Sequence, residues 1–216
     1  MIRWFSVSAL MLGVLITAAA QANAAPILTS ASLGYYNDSL GTVLNGSAGF
    51  PASGDPTFPP IAPAPDLSAA AGILGAWLTA SPLPLNANWT LQAIPVSWNI
   101  GDETAIVFEF TVPTATQLTG SFGVDNGIYV WLDGAYKFGA MAPGSFSLGE
   151  YPNVNLGVVS AGTHYLQIMR EDHGGATGWA MSVEANTAAV PEPTSMLLVG
   201  SGVVGMVARA RRRKKE

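Results

Sequence analysis

Four stretches in the second half of the chain alternate at period two, and turn-forming residues separate them. Thr104 to Val112 reads TAIVFEFTV, with Ile106, Phe108 and Phe110 on one face. Gly127 to Asp133 reads GIYVWLD, with Ile128, Val130 and Leu132 on one face and Tyr129 and Trp131 on the other. Thr163 to Arg170 reads THYLQIMR, and Gly178 to Glu184 reads GWAMSVE with Trp179, Met181 and Val183 together. Period two is the spacing of a strand, whose successive side chains point to opposite faces. Pro113-Thr114, Asp125-Asn126-Gly127, Asp133-Gly134, Pro143-Gly144, Ala161-Gly162 and Gly174-Gly175 supply the breaks. Short strands so punctuated predict an all-β, antiparallel sandwich. There is no βαβ alternation and no nucleotide-binding glycine signature.

Upstream the pattern differs. Residues 26–66 are expected to be loop-like, and PASGDPTFPPIAPAPD holds six prolines in sixteen residues, a composition that favours polyproline-like or surface-loop backbone. Asp66 is placed to N-cap a short helix over LSAAAGILGAWL, although Gly72 and Gly75 work against it. The expected organisation is therefore an N-terminal signal over 1–24, a loop- and Pro-rich part over 25–87, a β-sandwich core over 88–186 and a C-terminal signal over 190–216.

Charge is distributed unevenly. Between residues 25 and 190 there are twelve acids against two bases, Lys137 and Arg170, for a net charge of −10. Such a region does not attract nucleic acid or other polyanions. There are no cysteines, which excludes disulfides, thiolate metal sites and Cys nucleophiles.

The remaining positive charge sits at the two ends. The chain opens MIRWFSVSALMLGVLITAAAQANAAP. Arg3 is a positive n-region, Phe5 to Ala20 an apolar h-region, and Ala22-Asn23-Ala24 a small-x-small site, so cleavage is expected between Ala24 and Ala25; an uncleaved anchor is the alternative. The chain closes VPEPTSMLLVGSGVVGMVARARRRKKE. Met196 to Ala208 is free of charge but shorter than the roughly 20 residues of a full span. Arg209, Arg211, Arg212, Arg213, Lys214 and Lys215 follow, and such a cluster resists translocation and stays cytoplasmic. Pro191 and Pro193 hold the backbone extended ahead of the apolar run.

Pro191-Glu192-Pro193, an apolar helix and a terminal arginine cluster, in that order, resemble the tripartite PEP-CTERM sorting signal. That resemblance covers residues 190–216. It implies a transmembrane sorting helix and transient anchoring in the inner membrane. It also implies processing at Pro191, Glu192 and Pro193 by exosortase, a membrane protease, and delivery to the cell surface or extracellular matrix of a Gram-negative, often biofilm-forming bacterium.

A second resemblance covers about residues 88–186. FGVDNGIYVWLDG followed by LGVVSAGTHYLQIMREDHGGATGWAMSVEA is similar to the last half of galactose-binding-like jelly rolls. It implies an antiparallel jelly-roll sandwich, a fold in which many members bind sugars. Asp133 stands where such domains often carry Asn.

Candidate chemistry is sparse. His164 and His173 are the only histidines, and neither lies in a metal-ligand spacing. No serine occupies a nucleophile elbow, so no catalytic residue is assigned. Asp125, Asn126 and Asp133 flank the GIYVWL strand and offer hard oxygen ligands for calcium; the alternative is that they are simply what tight turns require. Tyr129 and Trp131 form a candidate platform for a sugar face if their side of the strand is open; the alternative is that both faces are buried in the sandwich or covered by the N-terminal segment. The expected function is a non-catalytic envelope or matrix protein that binds polysaccharide or serves as a structural matrix component. A hydrolase using two of the acids, among them Glu103, Glu109, Glu150, Glu171, Asp172 and Glu184, and a protein-interaction module are the other readings.

Overall fold

The computed structural model describes residues 25–51, 63–142 and 146–187. These form two antiparallel sheets. Strands β1 (Pro26–Thr29), β5 (Thr116–Asp125), β8 (Tyr151–Val159) and β10 (Gly178–Thr187) make one, in the order β1-β10-β5-β8. Strands β2 (Leu33–Gly41), β3 (Thr90–Ala93), β4 (Glu103–Val112), β6 (Gly127–Leu132), β7 (Ala135–Met141) and β9 (Gly162–Glu171) make the other, in the order β3-β2-β4-β9-β6-β7. This is the all-β antiparallel sandwich, jelly-roll-like in its crossings, that the alternating pattern predicts. Among the described residues the only α-helical turn is α1 (Ala71–Leu74), preceded by a 3-10 turn at Ser68–Ala70. Asp66 does serve its start, since its carboxylate accepts the Ser68 N–H at 2.9 Å. Gly75, at φ +63, ends it.

Residues 26–41 are a correction to the loop expectation. They form β1, paired to β10, and β2, paired to β4 and β3. LGYYNDSLG lacks a clean alternation because Asn37 is fully buried and the β2 register against β4 shifts between Asn37 and Gly41. A buried polar residue and an irregularity erase the period-two signal that strand assignment relies on.

The core lies between the sheets. Ile106, Phe108, Ile128, Val130, Leu166 and Ile168 from one sheet meet Leu118, Phe122, Trp179, Met181 and Val183 from the other. The opposite face of the six-stranded sheet is also covered. Ala105, Val107, Tyr129, Trp131 and Met169 pack beneath Leu44, Phe50, Leu74, Trp77 and Trp89, contributed by the long β2–β3 connection. Trp77 sits at the centre of that cover, 5.7 Å from the Trp89 ring and 5.5 Å from Trp131. The cover is fastened by hydrogen bonds. Gln167 Nε2 donates to the carbonyls of Trp77 and Thr79, and Trp89 Nε1 donates to Leu74 O. A strand that is apolar on both faces is thereby explained: β6 is buried along its whole length because it has a layer on either side.

The residues of the two terminal signals, Ala24 of the cleavage junction, Pro191, Glu192, Pro193 and the basic cluster Arg209–Lys215 lie outside the described residues, as does the apolar run. Ala25 is described and exposed. Among the described residues no helix is long and apolar enough to cross a membrane.

Candidate functional site

The structure corrects both speculative sites. Tyr129 is fully buried and Trp131 nearly so, at 4% exposure. The Tyr129 hydroxyl donates to Gly49 O at 2.5 Å, and Phe50 lies 5.4 Å from its ring. A stacking platform needs an open ring face, and here the β2–β3 connection occupies it. The two aromatics belong to the second core.

Asp125, Asn126 and Asp133 do not converge. Asp125 and Asn126 precede β6 and Asp133 follows it, so the strand itself holds them about 20 Å apart. Asp133 is committed locally: Oδ1 accepts the Tyr165 N–H at 2.9 Å and Oδ2 meets His164 Nδ1 at 2.8 Å. With φ values of 51° and 77°, Asp133 and Gly134 form the tight β6–β7 turn that requires two left-handed residues. Asp125 and Asn126, joined by a cis peptide bond, link strands of different sheets rather than a hairpin. Among the described residues no group of three or more His, Asp or Glu is placed to hold a metal.

What does gather at the Asp125 end of the sandwich is a buried ionisable cluster. Glu103 opens β4, Glu171 closes β9, and Asp172 and His173 follow it; Glu103, Glu171 and Asp172 are all fully buried. His173 Nε2 lies 2.5 Å from Glu171 Oε2. Asp172 Oδ2 accepts the Gly101 and Gly174 N–H groups, and Asn126 Oδ1 accepts that of His173. These contacts tie three loops together. Among the described residues the Glu103 carboxylate is met only by its own backbone N–H. Burial, with Glu171 nearby, pushes its pKa up to about 7. The hydrogen bond to Glu171 raises His173, and burial raises Asp172.

The cleft suited to a ligand lies elsewhere, between the exposed edges of the two sheets. β7 is the edge of one sheet and β8 the edge of the other. A cleft of about 480 Å3 opens between them, lined by Lys137 and Phe138 from β7 and by Glu150, Tyr151, Pro152, Val154 and Asn155 at β8. Its volume falls within the roughly 300–1,000 Å3 of small-molecule sites. Phe138 packs 5.3 Å from Tyr151 and stacks at 6.0 Å on Phe122, so the rings beneath the cleft belong to the core. The polar groups are few. Glu150 Oε2 accepts the Val124 N–H at 3.0 Å, and burial raises its pKa. The Tyr151 hydroxyl is buried beside the Glu150 carboxylate. Burial, and next the Glu150 charge, push its pKa up to about 12. Lys137 is exposed and makes no ion pair among the described residues.

Of the cleft residues the sequence singled out Glu150, and only as one of several candidate hydrolase acids. One signal was available: Pro152 cannot donate to a ladder, which marks YPNVNLGVV as an edge strand. Which other edge it would face is decided only by the strand order.

No curated protein matches the chain. Two solved structures are distantly similar to the chain. The Podospora anserina GH26-CBM35 β-(1,4)-mannanase matches 44% of this chain and 21% of its own, at 16% identity and a TM-score of 0.30. This chain thus spans about a fifth of that enzyme. The PA14 domain of the MpAFP antifreeze protein matches 79% of this chain and 90% of its own, at 14% identity and a TM-score of 0.34. The terminal segment, whose Pro-Glu-Pro, apolar run and arginines stand in the sorting order, matches the PEP-CTERM protein-sorting motif over residues 189–213.

Proposed function

We infer from the sorting motif that this is an exported protein, held transiently at the membrane and processed by exosortase. We propose that the released β-sandwich is a non-catalytic polysaccharide-binding component of the surface or matrix of a Gram-negative bacterium, and that it takes sugar in the β7–β8 edge cleft. The observation that carries this reading is the cleft's composition. Pro152 and Val154 give the cleft an apolar wall over the buried Phe138 and Tyr151 rings, and the exposed Lys137 and Asn155, with half-buried Glu150, offer polar groups to sugar hydroxyls. Open edges let a polymer pass through rather than end there. The clustered acids Glu103, Glu171 and Asp172 support the non-catalytic part, because at zero exposure they touch no substrate.

Co-sedimentation of residues 25–190 with the producing organism's exopolysaccharide tests it. Saturable binding that Lys137→Ala weakens, and that a calcium chelator leaves unchanged, is expected. Absence of binding overturns the reading for that polymer.

A further inference from the structure

Both ends of the exported domain that point toward a membrane leave it at the same place. β10 ends at Thr187, four residues before Pro191 of the sorting motif. β1 begins at Pro26, just after the expected signal junction, and Pro26 pairs with Glu184 of the adjacent β10. The two membrane-directed segments therefore emerge from neighbouring strands, side by side. Register identifies that end. Thr187 pairs with Thr116 of β5, next to the Pro113–Ala115 turn, whereas Gly178, at the other end of β10, pairs with Asp125.

We propose that the anchored precursor stands on the lipid headgroup layer through the sandwich end that carries the Pro113–Ala115 and Ser160–Ala161 turns, with the Asp125–Asp172 end outward. This rests on the transient anchoring conferred by the sorting motif.

Charge favours that orientation over its inverse. Asp102, Asp125, Glu150 and Asp172 are at the outward end, together with Glu171, paired to His173, and Glu103, whose pKa is raised to about 7. In the strands and turns of the other half the acids are Glu109, Asp133 and Glu184, and Asp133 is paired to His164. Anionic headgroups repel the acid-rich end more strongly, within about a Debye length.

Tether length agrees. The nine steps from Thr187 to Met196, where the apolar run starts, reach at most about 30 Å when fully extended. Ten-residue β5 and β10 make the sandwich about 30 Å long as well. Inversion would use the whole tether. The upright state leaves the Glu150–Tyr151 end of the edge cleft facing away from the membrane.

The chain has no cysteine, so single-cysteine labelling of the full-length protein tests this directly. Thr114→Cys and Ala176→Cys fall in exposed turns at the two ends. Each is labelled with a fluorophore and reconstituted into phosphatidylethanolamine–phosphatidylglycerol vesicles that contain headgroup spin-labelled lipid. Quenching at least about fivefold stronger at position 114 is expected for a separation near 30 Å. Equal quenching, or stronger quenching at 176, overturns the proposal. Flotation reads anchoring separately: protein that does not float with the vesicles removes the anchor and the proposal with it. If position 114 is shielded only when an exosortase-type peptidase is present, that end meets the enzyme, and the lipid assignment fails.

Discussion

The Arg170 guanidinium lies 4.2 Å from the Trp98 ring centroid in the interior of the sandwich, with no carboxylate partner among the described residues. Trp179 at 4.9 Å and Tyr36 at 5.6 Å complete an aromatic cage. Nε donates to Thr104 Oγ1 and Nη1 to Pro95 O. The cage fastens the 95–98 segment to the core without an opposing charge. Burial alone lowers the arginine's pKa to about 10. Arg170→Lys keeps the charge but loses the planar fork that makes two bonds and stacks. It is expected to cost about 2–4 kcal/mol, from two charge-assisted hydrogen bonds and part of the cation–π contact. Urea unfolding of the two proteins measures it, and an unchanged midpoint would refute the keystone role.

Trp131→Ala is expected to act on stability. Removing a buried tryptophan wedged against Trp77 and Tyr136 costs about 3–5 kcal/mol. Tyr129→Phe, which loses only the bond to Gly49 O, costs about 1 kcal/mol. Thermal melts give both values. A stable Trp131→Ala protein with lost sugar binding would restore the platform that burial argues against.

In the edge cleft, Lys137→Ala separates binding from folding. Lys137 is exposed and makes no ion pair among the described residues, so its removal leaves the melting temperature unchanged. Polysaccharide affinity is expected to fall about fivefold, the worth of one hydrogen bond. Unchanged affinity would place the ligand elsewhere.

The loop cluster makes stability depend on pH. Glu103 has a folded pKa of about 7, raised from 4.5, and His173 and Asp172 are raised as well. A raised folded pKa means that the folded state binds more protons than the unfolded chain. The contribution is fully present below the unfolded value and is lost as pH rises through the folded one. For Glu103 the window is pH 4.5 to about 7; for His173 it begins at 6.5 and extends upward. Stability should therefore fall between pH 5 and pH 8, by no more than about 1.4 kcal/mol per pH unit for each proton. Glu103→Gln should flatten much of that slope. Denaturant midpoints across this range decide the matter; a slope of opposite sign would contradict the cluster's role.

The inner face of the sandwich was legible in the residues. Ile106, Phe108 and Phe110, and likewise Trp179, Met181 and Val183, occupy the core positions their alternation predicts. The candidate sites were not. The sequence shows Tyr129 and Trp131 on the face opposite Ile128, but what lies over that face comes from Phe50 and Trp77, some 50 to 80 residues away. Asp125 and Asp133 look like companions across a short strand, yet a strand is a rigid spacer.

By itself the sequence determined the strands with an unbroken period, their turns, the acidity of the exported part and the sorting address at residues 189–213. Those are local properties, written in neighbouring residues. The tertiary structure alone decided the strand order, and so which edges face each other across the cleft, which face receives a second layer, and that Pro26 and Thr187 leave from one end. Each of those depends on pairing between residues far apart in the chain, and period-two alternation carries no information about partners.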